Sequence, residues 1–331
     1  TDPFGKLPVV PRDGRGLNPL LQNPWMAFHP PTLYVGYIGF TFPFALGLGG
    51  LLSGDGGWIG RSRRWALFSW IFLTLGILTG MKWAYVELGW GGYWSWDPVE
   101  NASLMPWLTA TAFLHSASVR GRTRSWSFPL VVLTFELTMF GTFLTRSGVV
   151  SSVHAFGRSP LGCYFLGFIA LSGVAAAWAA RRGRRALEVG GGATSLLSRE
   201  GTVLLGVLVL CTLCIATFSG TVMPILSEAL TGSRVMVGPE FFNGVFAPLA
   251  ILMLVMMGVW QLTPWEGTSP SSLLRRLPVP LIFAFSFAFT IFVLGGRSPY
   301  LTPAAFSGGF ALGGILSRAY RSLRAGGSLL K

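Results

Sequence analysis

The residues best suited to binding a metal are the three histidines of the chain, at positions 29, 115 and 154. His29 and His154 each lie beside a long apolar stretch, whereas His115 lies within one. Neutral imidazole is a common ligand of metal ions and of haem iron. Each ring could equally be an ordinary polar residue that is hydrogen-bonded to the backbone. The position of each histidine relative to the membrane helices therefore has to decide between a metal ligand and an ordinary polar residue.

Aromatic residues are concentrated between Trp83 and Ser103, where four tryptophans and two tyrosines occur. Glycines among them remove side chains beside the rings, which lets a large ligand approach the backbone. One or two interfacial aromatics would be ordinary in a membrane protein. This density of flat rings, glycines and acids instead predicts a flat aromatic ligand such as a porphyrin. We call residues 88–103 the tryptophan segment, and its predicted binding residues are Trp90, Gly91, Gly92, Tyr93, Trp94, Trp96 and Asp97.

The composition of the 331-residue chain is that of a membrane protein, since 51% of residues are apolar and 11% are charged. A soluble domain carries about a quarter charged residues. Apolar runs long enough to cross a bilayer recur along the sequence. The pattern predicts an all-α integral membrane protein that forms a single membrane domain over residues 1–331. About nine transmembrane helices are expected, near residues 32–53, 66–87, 104–119, 127–146, 160–180, 201–221, 241–262, 278–296 and 302–318.

The net charge of +13 is spread over short clusters between the apolar runs rather than gathered on one face. This distribution argues against a nucleic-acid partner and is typical of the cytoplasmic loops of a membrane protein. Successive connections between membrane helices lie on alternate sides of the membrane, and the arginine-rich set is assigned to the cytoplasm. The N-terminal segment 1–31, the tryptophan segment and the connection 147–159 belong to the other set and are therefore expected on the outer face. We therefore expect a multi-pass protein of the cell inner membrane, surrounded by lipid, with His29 and His154 on the periplasmic side.

Two outward histidines on either side of an aromatic segment predict a six-coordinate haem site. Arg146 and Arg158 flank His154, and arginine pairs well with carboxylates such as haem propionates. Either arginine could also be a simple anchor at a helix end. His115 lies inside the third predicted span, where an ionisable residue is a functional candidate by default. A second, buried haem and a helix-packing histidine are its two interpretations.

Other polar residues in the apolar runs are less specific. Glu136 falls near the middle of the fourth predicted span, where it could carry a proton or pair with Lys82 or His115. Cys211 and Cys214 form a C-x-x-C pattern, but no histidine follows it. A c-type haem attachment site needs that histidine. These two cysteines are therefore predicted to pack in the core.

The run Trp90-Gly91-Gly92-Tyr93-Trp94-Ser95-Trp96-Asp97-Pro98 resembles the WWD signature of haem-handling membrane proteins. Tyr93 stands where that signature commonly has a third tryptophan. The segments 13–31 and 141–156, which lead to His29 and His154, are similar to the CcmF branch of these proteins. The chain is thus identified as a member of the CcmF-type cytochrome c haem lyase subunits, although NrfE-type lyases can share every one of these motifs. It is expected to be a fragment of a longer chain.

The resemblance implies an enzyme of cytochrome c biogenesis. Such a subunit accepts haem b from the chaperone CcmE and joins its vinyl groups to the thiols of a C-x-x-C-H apocytochrome c, together with CcmH-type subunits. His29 and His154 would be the axial ligands of this haem, and His115 one ligand of a second, intramembrane haem b. The alternatives are a WWD-family haem transporter without lyase activity, and a quinone- or proton-coupled membrane subunit.

Overall fold

The protein is helical throughout the part that the computed structural model describes, which comprises residues 5, 8–9, 12–14, 16–89, 92–119, 125–150, 152, 161–183, 198–264, 269–296 and 298–324. A 3-10 turn at Pro19–Leu21 precedes the α-helices. These are α1 Pro24–Gly39, α2 Thr41–Ser53, α3 Trp58–Glu87, α4 Pro98–Ser116, α5 Ser127–Ser147, α6 Leu161–Arg182, α7 Arg199–Thr231, α8 Pro239–Leu262, α9 Pro270–Leu274, α10 Pro278–Val293 and α11 Leu301–Arg324. The predicted all-α fold is confirmed.

Within the described ranges, 6 helical stretches are long and apolar enough to cross a bilayer, with α1 and α2 together forming the first. The others are α3, α5, α6, α7 and α8. Each of the predicted spans corresponds to a helix, but α4, α10 and α11 are too short or too polar to meet the same criterion. The chain therefore has the helices of a multi-pass membrane protein, while the predicted count of nine is not established.

Two helix boundaries differ from the prediction and change the position of a histidine. Helix α1 begins at Pro24 because Asn23 caps it, accepting a hydrogen bond from the backbone N–H of Trp25. His29 therefore lies inside α1 rather than before the first span. Helix α4 ends at Ser116, so His115 lies in its last turn rather than in the interior of a span.

Helix α4 is the central helix of the bundle, packed against α3, α5 and α7. Helices α3 and α4 run antiparallel and exchange two hydrogen bonds, from Trp70 Nε1 to Thr111 Oγ1 and from Trp107 Nε1 to Thr74 Oγ1, each of 2.8 Å. Polar bonds of this kind hold helices together where lipid supplies no partner. Because its neighbours are protein rather than lipid, α4 can be less apolar than a lipid-facing span.

Helix α1 packs on α3 at very short range because glycines line the contact. A Cβ atom added at Gly76 would lie 2.7 Å from the backbone of Leu33, and one added at Gly36 would lie 2.5 Å from the backbone of Leu73. Small residues allow this close approach in membrane helix pairs. The contact fixes the position of α1, and with it the position of His29.

The C-terminal helices form a second group, in which α11 packs on α8 and α10. Gly258 of α8 lies directly against the ring of Phe310 of α11. Helix α7 connects this group to the first bundle through its contacts with α4 and α8. Cys211 and Cys214 belong to α7, and Cys214 is buried with a free thiol. The prediction that they pack in the core agrees with this placement.

The substitution Gly76→Val is expected to destabilise the protein by roughly 1–3 kcal/mol, because the added side chain would overlap the backbone of α1. Thermal unfolding in detergent micelles measures the effect. The matched control is Gly60→Val in the same helix, where nothing lies within 4 Å of the added Cβ atom. Equal loss of stability in the two variants would show that the close packing of α1 on α3 is not what the glycine provides.

Candidate functional site

The tryptophan segment is folded onto the start of α4 by two carboxylates. Asp97 is the N-cap of α4, and its Oδ1 accepts a 2.8 Å hydrogen bond from the N–H of Val99. Oε2 of Glu100 accepts hydrogen bonds from the backbone N–H groups of Ser95, at 2.9 Å, and Asp97, at 3.1 Å. This reciprocal arrangement is a capping box. It fixes the backbone of residues 95–97 relative to α4.

Trp96 is held in an unusual backbone conformation. With φ of 60°, it is the only non-glycine residue with positive φ in the described part of the chain. Its Nε1 donates a 2.9 Å hydrogen bond to Oδ1 of Asn243, and its ring stacks on Phe242 with centroids 4.9 Å apart. Such a conformation costs a bulky residue about 1–3 kcal/mol and persists only where the surroundings enforce it. Trp96 is therefore docked on the first turns of α8.

Helix α7 contacts the residues that hold Trp96 in place. The buried side chain of Asn101 donates from Nδ2 to the carbonyl of Trp96, at 3.1 Å, and to Oγ1 of Thr221, at 3.0 Å. A Cβ atom at Gly220 would lie 2.7 Å from the ring of Phe242. Three helices thus fix Trp96, with α4 and α7 holding its carbonyl side and α8 holding its indole.

His29 and Trp94 face the same small cavity, of about 50 Å³, which Glu100 also lines. Nδ1 of His29 lies 2.7 Å from the carbonyl oxygen of Gly76. Because a carbonyl only accepts, Nδ1 carries a proton and donates this hydrogen bond. The ring lies so close to Gly80 that a Cβ atom there would be 2.6 Å from it. The bundle thus places an oriented imidazole beside the tryptophan segment.

The connection after α5 also reaches the tryptophan segment. Oγ of Ser152 donates a 2.7 Å hydrogen bond to Oδ1 of Asp97, and Ser152 is two positions before His154 in the sequence. Arg146 lies in the last turn of α5 and is half-buried. Tyr93 is 63% exposed. The remaining predicted site residues, Trp90, Gly91, His154 and Arg158, lie outside the described residues, and Gly92 is described as half-buried.

His115 lies at the opposite end of α4 from the tryptophan segment. Its Nδ1 donates a 2.8 Å hydrogen bond to the carbonyl oxygen of Thr111. Beside it is a cavity of about 350 Å³, between α4, α7 and α8. The residues lining this cavity include Arg63, Leu114, His115, Met253, Met257 and Trp260. We call this end of the bundle, which contains Arg63, His115 and the end of α8 at Leu262, the basic end.

The structure does not bring Glu136, Lys82 and His115 together. Lys82 lies near the end of α3 with its ammonium group 5.6 Å from the ring of Tyr85, whereas His115 lies at the basic end. Glu136 is in the middle of α5, and neither of its carboxyl oxygens makes a hydrogen bond of normal length within the described residues. The alternative pairings considered for Glu136 therefore find no support in the geometry.

Several residues that shape the site have signals of different strength in the sequence. The spacing of Asp97 and Glu100 is the pattern of a capping box and could have been recognised. Gly76 and Gly80 have the small-residue spacing of close helix pairs. The hydrogen bond from Trp96 to Asn243 joins positions 147 residues apart, and no local pattern predicts it.

Comparison with known proteins gives a consistent picture. Residues 4–150 match the model of the family described as cytochrome c assembly protein. The cytochrome c-type biogenesis protein ccl1 of Rhodobacter capsulatus is 39% identical over 100% of this chain and 52% of its own length. CcmF of Pseudomonas aeruginosa is 44% identical over 86% of this chain and 44% of its own length.

A solved structure with the same arrangement of helices is that of the cytochrome c haem lyase CcmF. It superimposes with a TM-score of 0.74 at 33% sequence identity, covering 93% of this chain and 48% of the solved chain. The chain therefore spans about half the length of the relatives that it matches.

The substitution Asn243→Leu is expected to release Trp96 from α8, because it removes the acceptor of the indole N–H. Backbone hydrogen exchange of Ser95 and Asp97 should then accelerate roughly tenfold, as expected when about 1.4 kcal/mol of local stabilisation is lost. Mass-spectrometric hydrogen exchange on the purified protein measures this.

The matched control is Gly244→Ala at the next position, where nothing lies within 4 Å of the added Cβ atom. Exchange should be unchanged in this variant. If Asn243→Leu also leaves the exchange of residues 95–97 unchanged, the contact with α8 does not hold the tryptophan segment.

Proposed function

Because the chain belongs to the CcmF-type proteins of cytochrome c biogenesis, we propose that it handles haem at the tryptophan segment as part of a cytochrome c haem lyase. The observation that carries this proposal is the shared cavity of His29 and Trp94. An imidazole oriented through its Nδ1 there adjoins a rigid aromatic segment, and the two together are suited to binding an iron porphyrin. The proposed site faces the periplasm from the inner membrane.

The iron ligands in this proposal are His29 and His154. His29 is oriented by the carbonyl of Gly76 and confined by Gly80, so its direction is set before haem arrives. The hydrogen bond between Ser152 and Asp97 keeps the connection that leads to His154 beside the same segment. Arg146 and Arg158 are the proposed partners of the haem propionates.

The haem is a substrate in this proposal, and it lies against the surface of the bundle rather than inside it. The cavity at His29 has a volume of about 50 Å³, whereas pockets that enclose a drug-sized ligand measure roughly 300–1,000 Å³. A porphyrin bound through His29 would therefore cover the mouth of this cavity, with its edge accessible to a peptide. Trp94 lines the cavity and the exposed Tyr93 precedes it. Together with Trp90, Gly91 and Gly92 they form the proposed platform, which Trp96 and Asp97 fix to the bundle.

Attachment adds the S–H bond of each apocytochrome cysteine across a vinyl double bond of the haem. A carbon–sulfur bond forms at one vinyl carbon, and the thiol proton passes to the other. The peptide supplies both nucleophiles, so the residues of this chain need only hold the haem edge at the approaching thiols. The rigid docking of the tryptophan segment on α4 and α8 meets that requirement. We assign no acid or base to the chain.

The proposed partners follow from this reaction. Haem-loaded CcmE delivers the substrate haem, and a C-x-x-C-H apocytochrome c with CcmH-type subunits receives it. We expect these partners to bind at the outward-facing surface of the tryptophan segment.

His115 is the proposed ligand of a second, intramembrane haem b. Because Nδ1 is engaged with the carbonyl of Thr111, Nε2 is the nitrogen that would meet iron, and the adjoining cavity of about 350 Å³ is lined mainly by apolar side chains, several of them methionines. Arg63 at its edge could meet a propionate. Since His115 is the eighteenth residue of α4, the two proposed haem sites would be separated by about 25 Å along that helix, at 1.5 Å per residue.

The visible haem spectrum tests the outward site. In protein purified with haem-loaded CcmE, His29→Ala and His154→Ala should each reduce haem retention at least tenfold and abolish the bis-imidazole spectrum. Even second-shell changes at metal sites cost about 10–100-fold in affinity. Phe28→Ala is the matched control, because Phe28 precedes His29 in α1 and is 62% exposed.

The proposal fails if both histidine variants keep the spectrum and haem yield of the parent protein. If haem binding is lost in both but attachment to a C-x-x-C-H peptide was already absent in the parent, the chain would be a haem carrier without lyase activity.

The proton-coupled alternative rests on Glu136 of α5, whose two carboxyl oxygens are buried and lack a hydrogen bond of normal geometry within the described residues. That reading predicts that Glu136→Gln abolishes cytochrome maturation while haem binding at the outward site persists. We expect maturation to continue in this variant, because α5 places Glu136 away from both proposed haem sites. Loss of maturation in cells expressing Glu136→Gln would favour the alternative.

A further inference from the structure

Four arginines converge at the basic end of the bundle, where α8 ends. Nε of Arg199 donates a 2.8 Å hydrogen bond to the carbonyl of Thr263, and Nη1 of Arg276 donates one of 2.8 Å to the carbonyl of Leu262. These bonds satisfy carbonyl groups that the end of a helix leaves without intrahelical partners. The guanidinium groups are thereby fixed to one rigid point rather than free at the surface.

The side chain of Trp260 organises the same cluster. The guanidinium carbon of Arg199 lies 5.4 Å from the centre of its ring, and that of Arg318 lies 5.1 Å away. Arg321, one turn after Arg318 in α11, is close enough to Arg276 and Arg318 to be repelled by both. Cation–π contacts offset part of this repulsion, but several like charges remain gathered in one place.

These arginines differ from their neighbours in sequence. Arg276, Arg318 and Arg321 are half-buried, whereas Arg275 and Arg324 are exposed. Within the described residues, no carboxylate lies within 4 Å of the guanidinium groups of Arg276, Arg318 and Arg321. Each guanidinium has five N–H donors. Arg276 donates one hydrogen bond to the carbonyl of Leu262, Arg318 one to Oε1 of Gln261 and Arg321 one to the carbonyl of Ser317, which leaves further donors on each. An arginine that only orients a span would not need to be gathered with others and half-buried.

We propose that Arg276, Arg318 and Arg321 form a binding site for the phosphate group of an anionic lipid. Guanidinium groups bind phosphate through paired, charge-assisted hydrogen bonds. Helix α8 is apolar and long enough to cross a bilayer, so its end lies at headgroup level. The outer surface of α11 beside the cluster is apolar, with Leu316, Tyr320 and Leu323 exposed. An acyl chain can cover this surface while the phosphate meets the arginines, as in basic pockets between membrane helices. Trp260, which holds Arg318, also lines the cavity beside His115, so the proposed lipid site adjoins the second proposed haem site.

Native mass spectrometry of the full chain, delipidated and then titrated with phosphatidylglycerol or phosphatidylcholine, tests the proposal. The parent protein should retain phosphatidylglycerol preferentially. Arg321→Gln should weaken that binding roughly fivefold, in line with the contribution of one basic residue near anionic lipid. Within the described residues, the hydrogen bond of Arg321 goes to the carbonyl of Ser317 in its own helix, so its loss breaks no hydrogen bond between the described helices. Arg324→Gln removes the same charge one turn further on and should have less than a twofold effect.

The double variant Arg276→Gln/Arg318→Gln should weaken binding roughly thirtyfold, and its thermal unfolding reports whether the fold survives. Equal binding of phosphatidylcholine, or an equal effect of Arg324→Gln and Arg321→Gln, would overturn the proposal in favour of diffuse surface charge. If millimolar pyrophosphate displaces the lipid from the parent protein but not from the arginine variants, the phosphate site is supported. A soluble phosphate compound would then be a second source of its ligand.

Discussion

The carboxylate of Glu100 is the group on which the arrangement of the tryptophan segment depends. It accepts the backbone N–H groups of Ser95 and Asp97 and adjoins the cavity shared by His29 and Trp94. A charge at a helix N-terminus is also stabilised by the helix dipole. One acidic residue therefore starts the central helix, folds the aromatic loop back on it and lines the candidate haem site. The remaining contacts of the loop build on this fixed point.

The tryptophan segment performs two separate tasks. Trp94 faces α1 and the histidine, whereas Trp96 faces α8 and is locked there by Asn243 and Phe242. The two indoles meet edge to face, with centroids 5.9 Å apart. Sequence reasoning treats all aromatic residues of the segment as one platform. The structure instead gives Trp96 the character of a positioning residue, and its positive φ turns the chain between the two faces.

The sequence predicts where the helices lie, but it does not predict correctly where His29 and His115 lie along them. Apolar runs mark the helices because lipid and core both demand apolar side chains, yet they do not reveal where polar caps extend a helix. Asn23 and Pro24 start α1 before its apolar run, which brings His29 into the helix. Asn243 and Gly220 act on Trp96 across long sequence separations, and such tertiary contacts leave no periodic trace. His154 and Arg158 lie outside the described residues and remain predictions from the motif.

The hydrogen bond between His29 and Gly76 also bears on electron density at a bound metal. A donor bond from Nδ1 to a carbonyl gives the imidazole more anionic character and makes Nε2 the stronger electron donor. A ligand of this kind stabilises the higher oxidation state and lowers the reduction potential of the iron. Because the acceptor is a backbone carbonyl in α3, a side-chain substitution at position 76 leaves the acceptor in place, and the bond is lost only where α1 moves away from α3. In the proposed haem site, the redox bias that His29 would contribute is therefore built into the pairing of α1 and α3.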